Sequence, residues 1–218
     1  MNKAVPALLL VALVMFVCAP FVIEAAPFEV SMGMVSKIFY FHVPSAITLF
    51  ISAVVCGISS TMYLITRSRT ADHVALAAAE LSIVFGLIVL VTGPLWARKA
   101  WGVWWVWEPR LTMTLVMWMV FVSYLLLRKF GGAGSEMLAA AVAVFGMALV
   151  PFVYWSVNVW RTMHPKTSVV PSLPASMLGP LIWCQIAFLA LYAGMLLVRV
   201  RLERNVALLE ESYLALED

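Results

Sequence analysis

Long apolar stretches alternate with short polar ones along this chain, and the alternation predicts its architecture. A helix needs about 20 apolar residues to cross the ~30 Å hydrocarbon core of a bilayer. Six stretches satisfy that length, and inside lipid their backbone groups must be hydrogen-bonded within a helix. The predicted spans are residues 4–23, 43–66, 74–97, 111–127, 137–159 and 175–198. We therefore expect an all-α integral membrane protein, folded as one domain over residues 1–218.

The composition supports this class of protein. Hydrophobic residues make up 64% of the chain and charged residues only 11%, with a mean hydropathy of +1.01. A soluble domain of this length could not bury so much apolar surface. The net charge of +3 is spread over short loops without a basic stripe, so we expect no nucleic-acid partner. The first span resembles a signal peptide but has no clear cleavage site, and we expect it to stay as an anchor.

The distribution of cations predicts the orientation. With six spans, both termini lie on one side of the membrane. The loops of that side carry eight cations: Lys3, Arg67, Arg69, Arg128, Lys129, Arg199, Arg201 and Arg204. The other side carries six: Lys37, Arg98, Lys99, Arg110, Arg161 and Lys166. The excess places both termini in the cytoplasm of a bacterial inner membrane, where residues 199–218 extend the last helix. Glu80, inside the third span, is expected to snorkel or to pair with a nearby arginine.

The segment between the third and fourth spans has an unusual composition. Residues 96–110 read W-A-R-K-A-W-G-V-W-W-V-W-E-P-R and hold five of the nine tryptophans. Tryptophans at membrane interfaces commonly act as anchors, which accounts for Trp96, Trp155 and Trp160. It does not account for Trp101, Trp104, Trp105 and Trp107, because four indoles in seven residues cannot all face the headgroups from one loop. We interpret residues 96–110, called the tryptophan shelf below, as a ligand-binding surface in an outer loop.

Two of the three histidines lie in the outer loops that flank the shelf. Pro44 fits the first turn of a helix, which places His42 just before the second span. Pro165 favours an extended backbone at His164, in the last outer loop. The third histidine, His73, falls in a short inner loop and is expected to be solvated. Three successive outer loops therefore supply an imidazole, an aromatic surface and a second imidazole.

This set of residue types predicts a haem site. A single interfacial histidine usually binds nothing, but two of them beside an indole cluster suit the two axial positions of haem iron. Two imidazoles are too few for a structural zinc site. The haem propionates need cations, which the outer loops supply as Arg98, Lys99, Arg110, Arg161 and Lys166. Cys18, Cys56 and Cys184 are isolated and form no CxxCH, so haem is expected to bind non-covalently.

The shelf also carries a family resemblance. The run W-G-V-W-W-V-W-E-P-R-L-T is similar to the signature W-G-x-x-W-x-W-D-x-R-L-T of the haem-handling membrane proteins of cytochrome c biogenesis. The six spans, H-V-P-S-A near the second span and W-R-T-M-H before the last one resemble, more narrowly, the cytochrome c maturation protein C family, also called haem exporter protein C. Glu108 departs from the pattern, since the family usually has aspartate there.

The resemblance implies both a role and a site. Such proteins are not enzymes; they hold haem b as cargo at the periplasmic surface and load it onto a membrane-anchored haem chaperone. Their implied partners are an ABC-type ATPase and permease pair and a small single-span membrane subunit. The residues implied in the site are His42 and His164 as axial ligands, with Trp101, Trp104, Trp105, Trp107, Glu108 and Arg110 around the cargo. The chain has no Walker A sequence, so any ATP hydrolysis falls to a partner.

Three other functions fit parts of the sequence. A haem-containing electron-transfer subunit would normally place histidines within its spans, and none of the predicted spans holds one. A permease would mark its path with intramembrane charges, for which Glu80 is the one candidate. A scaffold that only assembles other subunits leaves the histidines and indoles without a role.

Overall fold

The computed structural model of the protein describes residues 4–29 and 32–217, and six long helices dominate them. The helices are α1 (Ala4–Glu24), α2 (Phe39–Thr66), α3 (Arg69–Trp101), α4 (Pro109–Phe130), α5 (Ser135–Val159) and α6 (Ala175–Glu217). Short 3-10 helices precede α2 at Met34–Ile38 and α6 at Val170–Ser172. All six long helices have the length and apolar composition needed to cross a membrane. The predicted six-span all-α fold is confirmed.

The helices extend beyond the apolar runs that predicted them. Helix α2 starts at Phe39, so His42 lies inside a helix and the prediction that it precedes one is wrong. Helix α3 starts at Arg69, which places His73 on a helix instead of in the predicted loop. The predicted extension of the last span is confirmed, since α6 continues to Glu217. Hydropathy marks only the part of a helix that lipid surrounds, whereas backbone hydrogen bonding continues through polar residues.

The bundle is built around α2 and α3. These two helices share the most extensive contact, α5 packs on α2, and α4 packs on α5 and more loosely on α3. Helix α1 lies at the rim and packs chiefly against α6. Small residues allow the close approach of α2, α3 and α5, a common device where lipid already solvates apolar surface. Those buried in the central core include Ala53, Ala75, Ala78, Ala79, Ala139 and Ala143.

Ion pairs hold the end of the bundle that carries the C-terminal part of α6, called the inner end below. Arg128 of α4 makes a bidentate bond to Asp72 of α3, with distances of 2.7 and 2.8 Å. Arg199 of α6 binds Glu80 of α3, so the expected pairing of this intramembrane carboxylate is confirmed. Arg69, at the start of α3, binds Glu211 far along α6. These pairs join α3 to α4 and to α6.

Candidate functional site

The opposite, outer end of the bundle brings together the shelf and both flanking histidines. It consists of the start of α2, the end of α3, the start of α4 and the loop of residues 160–174. His42 on α2 contacts Thr92 on α3, and Glu108 at the start of α4 contacts Met163 beside His164. Segments far apart in sequence therefore form one site, as the alternating topology predicts.

The shelf divides into a helical part and a loop part. Helix α3 runs on through Trp101 and ends at Gly102, whose φ of 77° is a left-handed conformation that glycine adopts without strain. On the helical part, Trp96 and Trp101 make an edge-to-face contact with ring centroids 5.3 Å apart. On the loop part, Trp105 and Trp107 make a similar contact at 5.7 Å. The predicted ligand residue Trp101 therefore packs on Trp96, the indole assigned to the interfacial belt.

The indoles of the loop part differ in accessibility. Trp107 is 75% exposed and Trp104 is 56% exposed, the latter with the Arg98 guanidinium 5.9 Å from its ring centroid. Trp105 is half-buried, and its Nε1–H is buried without a hydrogen-bond partner among the described residues. Trp105 and Trp107 line an apolar cleft of about 280 Å³ together with Leu90 of α3 and Leu115 of α4. An apolar, flat ligand edge can enter this cleft beside the exposed indoles.

Glu108 connects the shelf to the last outer loop. It is the N-cap residue of α4, and its side chain is buried without capping that helix. One carboxylate oxygen, Oε2, instead accepts a 2.8 Å hydrogen bond from the backbone N–H of Met163. The other, Oε1, is buried and has no partner in the described part of the chain. Because Met163 precedes His164, Glu108 fixes the backbone that carries the second imidazole.

His42 is held by Thr92 in one tautomer. The Thr92 hydroxyl donates its proton to the Ile88 carbonyl at 2.6 Å, so its oxygen can only accept from His42. The 2.9 Å contact between His42 Nδ1 and Thr92 Oγ1 therefore requires a proton on Nδ1. The neutral ring then keeps the lone pair of Nε2 for a ligand. Gly93 leaves room for the ring, because a Cβ there would lie 3.3 Å from His42 Cε1.

His164 adopts the same tautomer through a different partner. Its Nδ1 lies 2.9 Å from the Pro165 carbonyl oxygen, which can only accept a proton. The lone pair therefore again sits on Nε2. Burial, and then the positive charge of Arg110, lower the pKa of His164 from 6.5 to about 4. Both effects keep this imidazole neutral, the form that binds metals, at neutral pH.

Arg110 lies between the shelf and α5. Its guanidinium donates to two backbone carbonyls of α5, Val153 at 2.7 Å and Tyr154 at 3.0 Å, and sits 5.8 Å from the Phe50 ring centroid. The motif arginine is thus engaged with the protein backbone near the end of α5. The positive charge of Arg110 acts on the imidazoles through space, and this effect requires no direct contact with either ring.

Four other predicted cations of the outer face are exposed: Arg98, Lys99, Arg161 and Lys166. Arg161 and Lys166 line a cleft of about 350 Å³ with Trp160 and Thr162, where α5 ends and the His164 loop begins. Lys37 differs from them, because its ammonium group bonds the Glu24 carbonyl at 2.9 Å and is buried. The outer face therefore offers positive charge at both margins of the shelf.

The structure thus brings the predicted site residues His42, His164, Glu108, Arg110 and the loop indoles into one region. It also adds two residues that the sequence did not indicate, Thr92 and Gly93, which lie in an apolar run and look like ordinary span residues. The one hint in the sequence is the triplet Thr92-Gly93-Pro94, which is an unusual interruption near the end of an apolar span. Only the packing of α2 against α3 reveals that this triplet faces an imidazole.

Comparison with known proteins gives a consistent result. Residues 1–212 match the model of a family described as Heme exporter protein C. The Heme exporter protein C of Haemophilus influenzae is 32% identical over 188 residues, covering 82% of this chain and 75% of its own length. That of Bradyrhizobium diazoefficiens is 35% identical over 185 residues, covering 82% and 70%. A ccmC-like mitochondrial protein of cytochrome c biosynthesis from Marchantia polymorpha is 32% identical over 162 residues, covering 73% and 69%.

Proposed function

The chain belongs to the Heme exporter protein C family, and from this premise we propose that its outer site holds haem b between His42 and His164 and passes it to another protein. Family membership establishes haem handling in cytochrome c biogenesis by a multi-pass inner-membrane protein. The residues of the site, the recipient and the orientation in the membrane are our proposal. The outer end faces the periplasm and both termini lie in the cytoplasm.

The shared tautomer of the two histidines carries this proposal. Each imidazole has its Nδ1 proton committed to an oxygen, so each offers the Nε2 lone pair that an axial haem ligand uses. The porphyrin supplies the other four donors, which explains why two protein ligands are enough. The pKa of His164, lowered to about 4, means that no proton competes for the iron at neutral pH.

The rest of the site suits the remainder of the haem molecule. The apolar cleft beside Trp105 and Trp107 accommodates a hydrophobic porphyrin edge, and the exposed indole faces can stack on the ring. The exposed cations at the margins suit the two propionates. The unpartnered Nε1–H of Trp105 is a further donor at the shelf. A flat, apolar dianion that contains a metal matches all of these features.

The two ligands are held by different kinds of structure, which suggests how cargo leaves. His42 sits on α2 and is packed against α3 at Thr92 and Gly93. His164 lies in the loop of residues 160–174, which is tied to the helices by the bond from Met163 to Glu108 and by a bond from Asn158 to Thr167. Loops move without unpacking helices, so we propose that His164 releases first while His42 keeps its hold. The recipient is a membrane-anchored haem chaperone that approaches the exposed edge at Trp104 and Trp107.

The proposed partners follow from the family resemblance. An ABC-type ATPase and permease pair supplies the energy, because this chain contains no Walker A sequence. A small single-span subunit completes the complex. This chain contributes the haem site itself and no hydrolytic step.

The absorption spectrum of the purified protein tests the ligand assignment. The double variant His42→Ala plus His164→Ala should lose the low-spin haem spectrum and bind haem more than about 100-fold more weakly, since both metal bonds are gone. His73→Ala is the matched control, because it removes a histidine from the inner end of the bundle. A double variant that keeps the wild-type spectrum would refute the proposed ligands.

Transfer of haem to the purified chaperone tests the role of the indoles. Replacing Trp105 and Trp107 by alanine should slow loading of the chaperone while leaving both axial ligands in place. Trp155→Ala provides the control, because Trp155 is also a largely exposed indole, at 59%, but lies on α5 and outside the motif. If loading stays at the wild-type rate, the two indoles are membrane anchors only.

A further inference from the structure

The C-terminal part of α6 is too long to be explained by the membrane. Helix α6 contains 43 residues, which at 1.5 Å per residue is about 65 Å, twice the ~30 Å hydrocarbon core. Arg199, Arg201 and Arg204 mark the level at which the chain leaves the apolar region. The residues that follow continue as helix into the aqueous phase at the inner end of the bundle.

This projecting helix carries an apolar stripe that this chain leaves uncovered. Leu202, Val206, Leu209, Tyr213 and Leu216 are spaced by four, three, four and three residues, the heptad spacing of a coiled-coil seam. Their side chains are between 42 and 82% exposed. Five large apolar side chains on one line of a water-exposed helix are typical of a surface that another helix covers.

The stripe points away from the bundle to which the helix belongs. Glu211 faces inward, since it binds Arg69 at the start of α3. It lies two residues after Leu209, about 200° further around the helix at 100° per residue. The stripe is therefore on the far side of α6 from α3. Because α6 is one continuous helix, its packing in the bundle sets the rotation of this part, and the Arg69–Glu211 pair agrees with the apolar side facing outward.

The charge beside the stripe selects the partner. Glu203 and Glu210 each follow a stripe leucine by one residue and so line the same margin of the seam. Glu203 already bonds Arg199 of its own helix at 2.6 Å, so Glu210 is the carboxylate of this margin that has no ion pair among the described residues. The opposite margin carries the neutral Asn205 and Ser212. We propose that this face binds an amphipathic helix of another protein whose own apolar stripe is flanked by Lys or Arg on the side that meets Glu210. Residues at these flanking positions set partner choice and orientation in helix pairs.

The same charges disfavour two other occupants. If a second copy of this chain packed antiparallel on the stripe, glutamate would face glutamate, which is repulsive. If it packed parallel, glutamate would face the neutral Asn205 or Ser212, and no ion pair would form. Beyond Arg204 the helix carries Glu210 and Glu211 and no Lys or Arg, so an anionic lipid surface is repelled along that part. A seam of two heptads is short, so the partner must also be held at this membrane face, where attachment raises its effective concentration.

Crosslinking in the native membrane identifies the occupant. A photoreactive amino acid is placed at Leu209 in the full-length protein, with Leu208 as the matched control, because Leu208 is equally exposed but off the stripe. We expect crosslinks from position 209, and far fewer from 208, to a helical segment with Lys or Arg beside an apolar stripe. Crosslinks to a second copy, to lipid, to an acidic segment or to nothing would overturn the proposal.

A designed peptide tests separately whether the partner helix must carry positive charge beside its apolar stripe. The probe is a helical peptide with leucine at its seam positions and lysine at its flanking positions, compared with the same peptide carrying glutamate there. Wild-type protein in phosphatidylcholine nanodiscs should bind the lysine peptide about tenfold more tightly, and Glu210→Lys should remove that preference. Leu209→Glu should weaken binding about tenfold and Leu208→Glu less than about twofold. Equal affinity for both peptides, or equal effects of the two leucine variants, would overturn the proposal.

Discussion

The two ends of the bundle use polar residues in opposite ways. At the inner end, carboxylates of α3 meet arginines: Asp72 binds Arg128, and Glu80 binds Arg199. At the outer end, four cations are exposed, namely Arg98, Lys99, Arg161 and Lys166. One carboxylate oxygen of Glu108 is buried there without a described partner, and hydrogen bonds set the tautomer of two imidazoles. The inner end satisfies its charges within the chain, whereas the outer end keeps binding capacity available.

This difference separates residues that stabilise the fold from residues that prepare a site. An ion pair between neighbouring helices is complete without a ligand, and its loss should appear as lower stability. A hydrogen bond that fixes a tautomer or a loop contributes little to stability, and its loss should appear as weaker ligand binding. The first two predictions below each change one end and measure both properties, and the other two concern the outer end alone.

Breaking the inner ion pair should have the largest effect. Arg128→Leu leaves the Asp72 carboxylate, whose side chain is only 14% exposed, without its partner. We expect unfolding in detergent to become easier by about 3 kcal/mol, with an unchanged haem spectrum in the folded fraction. Lys129→Leu, which removes the adjacent exposed cation, should cost less than about 0.5 kcal/mol. A changed haem spectrum in Arg128→Leu would show that the two ends are not independent.

Removing the hydrogen-bond partner of His42 should weaken haem binding and leave the stability of the protein nearly unchanged. Thr92→Val removes the acceptor of the Nδ1 proton while keeping the shape of the side chain. Haem affinity, measured by absorbance titration, should fall at least about tenfold, and the unfolding midpoint should stay close to that of the wild type. Thr92→Ser keeps the hydroxyl and should restore most of the affinity. Wild-type affinity in Thr92→Val would remove Thr92 from the site.

Changing Glu108 should show a graded effect. Glu108→Gln keeps an acceptor for the Met163 N–H but loses the charge, so haem affinity should fall about threefold. Glu108→Ala loses the acceptor as well and should weaken binding about tenfold. Hydrogen exchange at the Met163 amide gives an independent readout, and it should be faster only in the alanine variant. Similar exchange in both variants would mean that the hydrogen bond does not hold the loop.

The smallest effect is expected from moderate acidification. Because the pKa of His164 is lowered to about 4, its Nε2 stays unprotonated as the pH falls from about 7.5 to about 5.5. Haem affinity should therefore be nearly constant over that interval and decline only as the pH approaches 4. A solvated imidazole would instead lose its free form about tenfold per pH unit below about 6.5. A decline of that size would contradict the lowered pKa.

The sequence was sufficient to predict what depends on short-range pattern. The six apolar runs predicted six helices, and alternating topology placed His42, the shelf and His164 at one end. For Glu80 the sequence predicted snorkelling or pairing with an arginine, but it did not identify the partner Arg199, which is 119 residues away along the chain. Periodicity and hydropathy are properties of neighbouring residues, so they can be read without knowing the packing.

Features that depend on distant contacts could not be predicted in this way. Thr92 became a partner of His42 only because α2 and α3 pack closely at Gly93. The extra methylene of Glu108 looked like a small departure from a motif, yet its carboxylate reaches a loop 55 residues away in sequence. Helix ends were also misplaced, since His42 and His73 lie on helices that continue beyond their apolar runs.

Helix α6 gives the molecule a rigid arm across the membrane. It begins at Ala175, directly after the loop that carries His164, and continues without interruption to the acidic seam at its other end. Over about 65 Å, a tilt of about one degree around one end displaces the other by about 1 Å. The distance between an imidazole nitrogen and a metal is sensitive to displacements of that size. Whatever holds the arm on the opposite side of the bilayer therefore also sets the position of Ala175, where the loop that carries His164 ends.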